Sequence, residues 1–186
     1  MKTRLAAIAL LLAGTAFVFS GAWIHAKALL AQVLIEAAWA RAPGAKPWAW
    51  ADTTPVARLR FERTGDRYVV LAGDSGATLA FGPGHHDASA MAGDGGNMVV
   101  SAHRDTHFSL LRDARIGERI QVERRDGRVI EYAVDSTQVV DERDTRVLAV
   151  GPRERLTLVT CWPFDAIVPG GPLRWIVTAT RVDAPH

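Results

Sequence analysis

The stretch Arg119-Ile120-Gln121-Val122-Glu123-Arg124-Arg125-Asp126-Gly127-Arg128-Val129-Ile130-Glu131-Tyr132-Ala133-Val134 decides the fold class. Its two arms, 119–123 and 129–134, are rich in the β-branched and aromatic residues that suit a pleated strand. Between them, Asp126-Gly127 supplies the positive-φ residue that a tight hairpin turn requires. Runs of the same kind lie on either side: Arg67-Tyr68-Val69-Val70-Leu71 and Asn97-Met98-Val99-Val100-Ser101-Ala102 before it, Leu156-Thr157-Leu158-Val159-Thr160 and Leu173-Arg174-Trp175-Ile176-Val177-Thr178 after it. The chain beyond about Asp52 is therefore mainly β, a sandwich or a barrel. Short helices are expected around Thr106 to Asp113, where Phe108, Leu110 and Leu111 cluster, and at Asp144 to Val150.

Upstream the pattern changes. Met1-Lys2-Thr3-Arg4 is basic, and Leu5 to Ile24 is a run of about 20 residues without a charge, long enough to cross a ~30 Å hydrocarbon core as a helix. The apolar residues continue past the small-residue site Ala13-Gly14-Thr15-Ala16 through Phe17, Val18 and Phe19, which reads as a retained anchor, not a cleaved signal peptide. Lys2 and Arg4 place the N-terminus in the cytoplasm and the rest outside the cytoplasmic membrane. Helix formers continue to about Arg41, as an extension lying on the membrane or against the domain. Ala42-Pro43-Gly44-Ala45-Lys46-Pro47 ends that helix. The expected organisation is an anchor with juxtamembrane helix over 1–41, a linker over 42–51 and a β domain over 52–186.

The chain of 186 residues holds 22 basic and 20 acidic side chains, interspersed, for a net charge of +2. No basic face is implied, and nucleic-acid binding has no support. With a single cysteine, Cys161, no internal disulfide is possible. A free thiol outside the cytoplasm is exposed to oxidation and calls for a reason. Cys161 ends a β-run just before Trp162-Pro163-Phe164, where proline stops the ladder and a nucleophile is rigid yet reachable. The alternative is a small buried hydrophobe. His103 also stands at a strand-to-loop corner, with His107 as a second choice of partner for the thiol. A zinc set of His85, His86, His103 and His107 lacks the close paired spacing of a structural site and needs Cys161 to complete it. Arg174 enters an otherwise apolar strand, where its guanidinium needs a partner or serves as a donor fork for an oxyanion. Thr160 and Trp162, beside the cysteine, are read as substrate-facing, and Asp105 as a group that orients His103.

Together these residues resemble the sortase family. Gly95-Gly96-Asn97-Met98-Val99-Val100-Ser101-Ala102-His103-Arg104-Asp105-Thr106-His107-Phe108, with Gly82-Pro83-Gly84-His85 upstream, is similar to the sortase segment that carries the catalytic histidine. Leu156-Thr157-Leu158-Val159-Thr160-Cys161 resembles the TLxTC signature, and Leu173-Arg174-Trp175 falls where the family has its arginine. The resemblance covers residues 51–182. The N-terminal anchor and Trp162-Pro163-Phe164 are most similar to the proteobacterial sortases, whose members are dedicated to one or few partner proteins. It implies a closed eight-stranded β-barrel and a cysteine transpeptidase that cleaves a C-terminal LPxTG-like sorting signal between Thr and Gly. Cys161 would form the thioacyl intermediate, His103 would protonate the leaving amine, and Arg174 would stabilise the oxyanion. The implied partners are a protein substrate and an amine acceptor; no metal or organic cofactor is implied.

Competing readings are ordered by the same residues. Papain-like peptidases place cysteine before histidine, the reverse of the order here. L,D-transpeptidases have the two close together in a glycine- and serine-containing motif that is absent. Hydrolysis of the same signal, or a membrane-tethered binding barrel with an incidental thiol, are the remaining alternatives.

Overall fold

A computed structural model describes residues 11, 14, 15, 23, 26–151, 153–168 and 170–182. Eight strands, β1 (Pro55–Phe61), β2 (Arg67–Ala72), β3 (Gly84–His85), β4 (Asn97–Ser101), β5 (Arg119–Arg124), β6 (Val129–Asp141), β7 (Arg155–Cys161) and β8 (Leu173–Arg181), close into a barrel in the order β1-β2-β3-β4-β7-β8-β6-β5. The expected hairpin joins β5 to β6. Gly127 takes φ 83° at its tip, and the Arg124 amide donates to the Arg128 carbonyl at 2.8 Å. Of the two parallel pairings, β4 beside β7 matters most here: Asn97 aligns with Arg155 and Ser101 with Val159. β8 then returns antiparallel along β7, Cys161 facing Arg174.

Alternation decides which side chains fill the barrel. Met98, Val100 and Ala102 from the β4 segment, Leu156 and Leu158 from β7, and Val177 and Ala179 from β8 join Leu59, Phe61, Val122 and Tyr132 in one buried cluster. Two strands escaped the sequence reading. In β1, Arg58 and Arg60 interrupt the apolar run, although Ala57, Leu59 and Phe61 are fully buried. The other is β3, which has two residues and needs glycine: a Cβ on Gly84 would lie 2.3 Å from the Gly73 carbonyl oxygen. Of the expected helices, both are single 3₁₀ segments, Ser109–Asp113 and Thr145–Leu148. One short α-helix, α2 (Gly76–Leu79), precedes β3.

A longer helix, α1 (residues 26–40), packs on the outer wall formed by β1 and β2. Ile35 is buried against Val69 and Leu71, with Trp39, Trp48 and Phe81 around it. Glu36 Oε2 accepts from Arg58 at 2.6 Å, and Arg125 donates to the carbonyls of Trp39 and Arg41. Residues 26–40 thus lie against the domain. The expected anchor, Leu5 to Ile24, falls almost entirely outside the described residues; among the described residues, no helix is long and apolar enough to cross a membrane.

Candidate active site

Three strand ends meet at one edge of the barrel. Cys161 is the last residue of β7, and Arg174, the second of β8, is its cross-strand partner. Directly opposed residues of an antiparallel pair share a face, so sulfur and guanidinium leave the sheet on the same side. With Leu156 and Leu158 in the core, that side is the outer one. His103 lies two residues past the end of β4, whose parallel register, continued, brings it level with Cys161. Two bonds hold this corner: the Ala102 amide donates to the Val159 carbonyl at 3.1 Å, and Thr160 Oγ1 donates to the Ala102 carbonyl at 2.8 Å. The imidazole is exposed and the thiol partly exposed.

A cleft of about 180 Å³ runs along the outer face from this edge. Its floor is Val99, Ser101, Val159, Ile176 and Val140, and its wall is Val147 and Leu148 of the 3₁₀ segment. That wall hangs on Asn97, whose side-chain amide donates to the Val147 carbonyl at 3.1 Å while its oxygen accepts from Thr157 Oγ1 at 2.8 Å. Arg174 also lines the cleft. Its guanidinium donates to the carbonyls of Gly171 at 2.7 Å and Leu173 at 3.0 Å and to Glu142 Oε2 at 2.5 Å. A larger cavity of about 670 Å³, between residues 48–53 and the β2–α2 connection, is lined by none of Cys161, His103 and Arg174; the smaller cleft takes in Arg174, while Cys161 and His103 lie outside its lining at the barrel edge.

Of the two neighbours of the cysteine read as substrate-facing, Thr160 turns inward and Trp162 is half-buried. Thr160 is 2 % exposed and points into the barrel, so its hydroxyl is a tie between β7 and β4 and not a substrate contact. The cause is strand alternation: if Cys161 faces out, Thr160 faces in. Trp162 stacks on Trp175 with ring centroids 5.2 Å apart and meets Phe164 edge-on, packing against the core beneath the site. Asp105 is exposed, its carboxylate 3.4 Å from Arg104 Nε. Burial, then the neighbouring His103, hold the His107 imidazole below its ordinary value, and the ring lies edge-on to Tyr68 at 5.5 Å. The other two histidines diverge: His85 Nε2 lies 3.1 Å from the Ala90 carbonyl, and His86 Nδ1 lies 3.0 Å from Asp74. Among the described residues, no three of His, Cys, Asp and Glu are grouped to hold a metal ion.

Sequence reasoning missed Arg104. It is 4 % exposed, and its fork donates to the carbonyls of Pro163 at 2.8 Å, Ala166 at 3.0 Å and Val168 at 3.3 Å. One guanidinium thereby ties the turn that carries His103 to the loop that follows Cys161. Glu142, which takes the Arg174 fork, was also missed. Replacing Arg104 by alanine is expected to cost about 3 kcal/mol, since it orphans loop carbonyls that are bonded to a charged donor. Lysine should restore little, because a point donor cannot span three acceptors. Urea unfolding of both variants, with proteolysis of the 163–168 loop, checks this.

The comparisons with known proteins agree with the fold. The Sortase domain model matches residues 59–182, and the chain belongs to the sortase family. Sortase D of Bacillus subtilis is 31 % identical over 114 residues, an alignment that spans 61 % of this chain and 57 % of that protein. Among solved structures, the Sortase D5 transpeptidase of Clostridium perfringens superposes with a TM-score of 0.61 at 25 % identity, covering 70 % of this chain and 80 % of the other. Sortase A of Corynebacterium diphtheriae gives a TM-score of 0.65 at 25 % identity, over 83 % and 85 % of the two chains.

Proposed function

We propose that this chain is a membrane-anchored cysteine transpeptidase that cuts a C-terminal LPxTG-like sorting signal and passes the new acyl end to an amine. The observation that carries the reading is the meeting of Cys161, Arg174 and the His103 turn at one barrel edge, at the end of an apolar-floored cleft. The Cys161 thiolate attacks the carbonyl of the Thr–Gly bond, and the carbonyl electrons move to oxygen, where the Arg174 fork receives them. Collapse breaks the C–N bond, and His103 delivers a proton to the departing amine. A thioacyl ester remains on sulfur. The incoming amine attacks it and gives a proton to His103, and the new amide forms as thiolate leaves. The apolar floor of Val99, Val159 and Ile176 supports a place for an apolar side chain of an extended peptide lying across the cleft.

The basic Met1–Arg4 and the uncharged Leu5–Ile24 support a single-pass anchor in the cytoplasmic membrane, N-terminus inside and barrel outside. That start and the Trp162-Pro163-Phe164 segment support placement with the proteobacterial sortases, dedicated to one or few partner proteins. The test is to incubate the full chain with a cell-envelope extract and trap the acyl-enzyme. Mass spectrometry is expected to find one polypeptide joined through its C-terminal threonine to Cys161. A thiol that stays free while the extract contains the cut substrate would overturn the reading.

A further inference from the structure

α1 is apolar on both its inner and its outer side. Ala31, Ile35 and Ala38, all within 5 % exposure, meet the barrel. Two of its polar side chains are also used there: Gln32 Nε2 donates to the Phe81 carbonyl at 2.7 Å, and Glu36 binds Arg58 at 2.6 Å. The opposite face is Leu29, Leu30 and Val33, exposed by 69 %, 57 % and 64 %. A helix lying on a soluble barrel turns its polar side to solvent, and this one turns leucine and valine.

What stands before α1 identifies the occupant. Residues 5–24 carry no charge and directly precede the helix in the sequence. At the junction Trp23 is 62 % exposed, with Lys27 Nζ 5.1 Å from its ring centroid. An aromatic ring beside a long cationic side chain is the pairing favoured at headgroup depth, where the ring stays at the boundary and the ammonium reaches water.

We propose that the outward face of α1 lies in the lipid headgroup boundary, so that one helix grips the barrel with one side and the bilayer with the other. The inference rests on the anchored reading of Leu5–Ile24. Its consequence is a fixed orientation. α1 covers β1 and β2, and β7 lies four strands from β1 in either direction round the ring. The cleft on β4, β7 and β8 therefore opens away from the lipid.

The test uses the full chain with its single cysteine replaced, Cys161→Ala, and one new cysteine at a time: Leu30→Cys, Val33→Cys, or Asp165→Cys on the far side. Each is labelled with an environment-sensitive fluorophore and reconstituted into vesicles of phosphatidylethanolamine and phosphatidylglycerol. Labels at 30 and 33 should be quenched several-fold more by a shallow lipid-borne quencher than by aqueous iodide, and the label at 165 should show the reverse. If the chain floats with the vesicles but iodide quenches 30 and 33 as it does 165, the helix does not lie on lipid and the proposal fails alone. If both quenchers fail at 30 and 33 and these cysteines cross-link two chains, a second copy covers the face and the proposal fails. If the chain does not float with vesicles, the anchored reading fails and takes this one with it; acyl transfer by Cys161 is unaffected by any of these results.

Discussion

Cys161→Ala is expected to abolish acyl transfer while the barrel stays folded. The two halves of that expectation have separate physical grounds. Without sulfur there is no covalent intermediate, and loss of a nucleophile acting with its acid–base partner lowers turnover on the order of a million-fold. The fold should hardly notice. Cys161 is the last residue of β7, on the outer face and only partly buried, whereas the packed side chains of that strand are Leu156 and Leu158. Its removal leaves no closed cavity, and the change in stability should stay within about 0.5 kcal/mol, as for surface substitutions. A fluorogenic sorting-signal peptide reads the first quantity and a thermal melt the second. Residual cleavage near the native rate would exclude Cys161 as the nucleophile.

Arg174→Lys is expected to lower kcat 10²–10³-fold, about 3–4 kcal/mol, with KM little changed. The charge survives in lysine, so a role as a mere positive neighbour would survive as well. What is lost is the planar fork. Here that fork is held by the Gly171 and Leu173 carbonyls and by Glu142, contacts that fix its plane at the strand edge opposite Cys161. A rotating ammonium on a flexible stem cannot keep two donors aimed at one oxygen while satisfying those acceptors. Steady-state kinetics on the same peptide separate the outcomes. A rise in KM at constant kcat would make Arg174 a ground-state binding group.

How far the sequence carried the fold follows from where local signals exist. Asp126-Gly127 and its β-branched flanks marked a hairpin because the turn chemistry is local. β1 was hidden because two of its outward residues are arginines, Arg58 and Arg60, the first paired with Glu36 and Glu123, both distant in sequence. β6 runs on past Val134 to Asp141 through a register shift at Val134/Ser136, where polar residues conceal the strand. In the site, Cys161, His103 and Arg174 were legible as reactive types at strand ends. The direction of Thr160 was legible too, once Cys161 was taken to face out, because alternation leaves it only the core. Arg104 was not legible. Its acceptors are the backbone carbonyls of Pro163, Ala166 and Val168, and a carbonyl is the same whichever side chain it carries.

The Asn97 bridge beneath Val147 divides the molecule between two kinds of change. Sulfur placement depends on pairing phase: losing one residue between Leu156 and Thr160 would turn Cys161 inward and destroy reactivity at once. The segment from Arg143 to Val150 hangs over the floor by a few bonds and sets no phase, so it can lengthen, shorten or change character while Glu142, just before it, keeps its hold on the Arg174 fork. Descendants of this fold can therefore acquire new peptide preferences by exchanging that overhang alone.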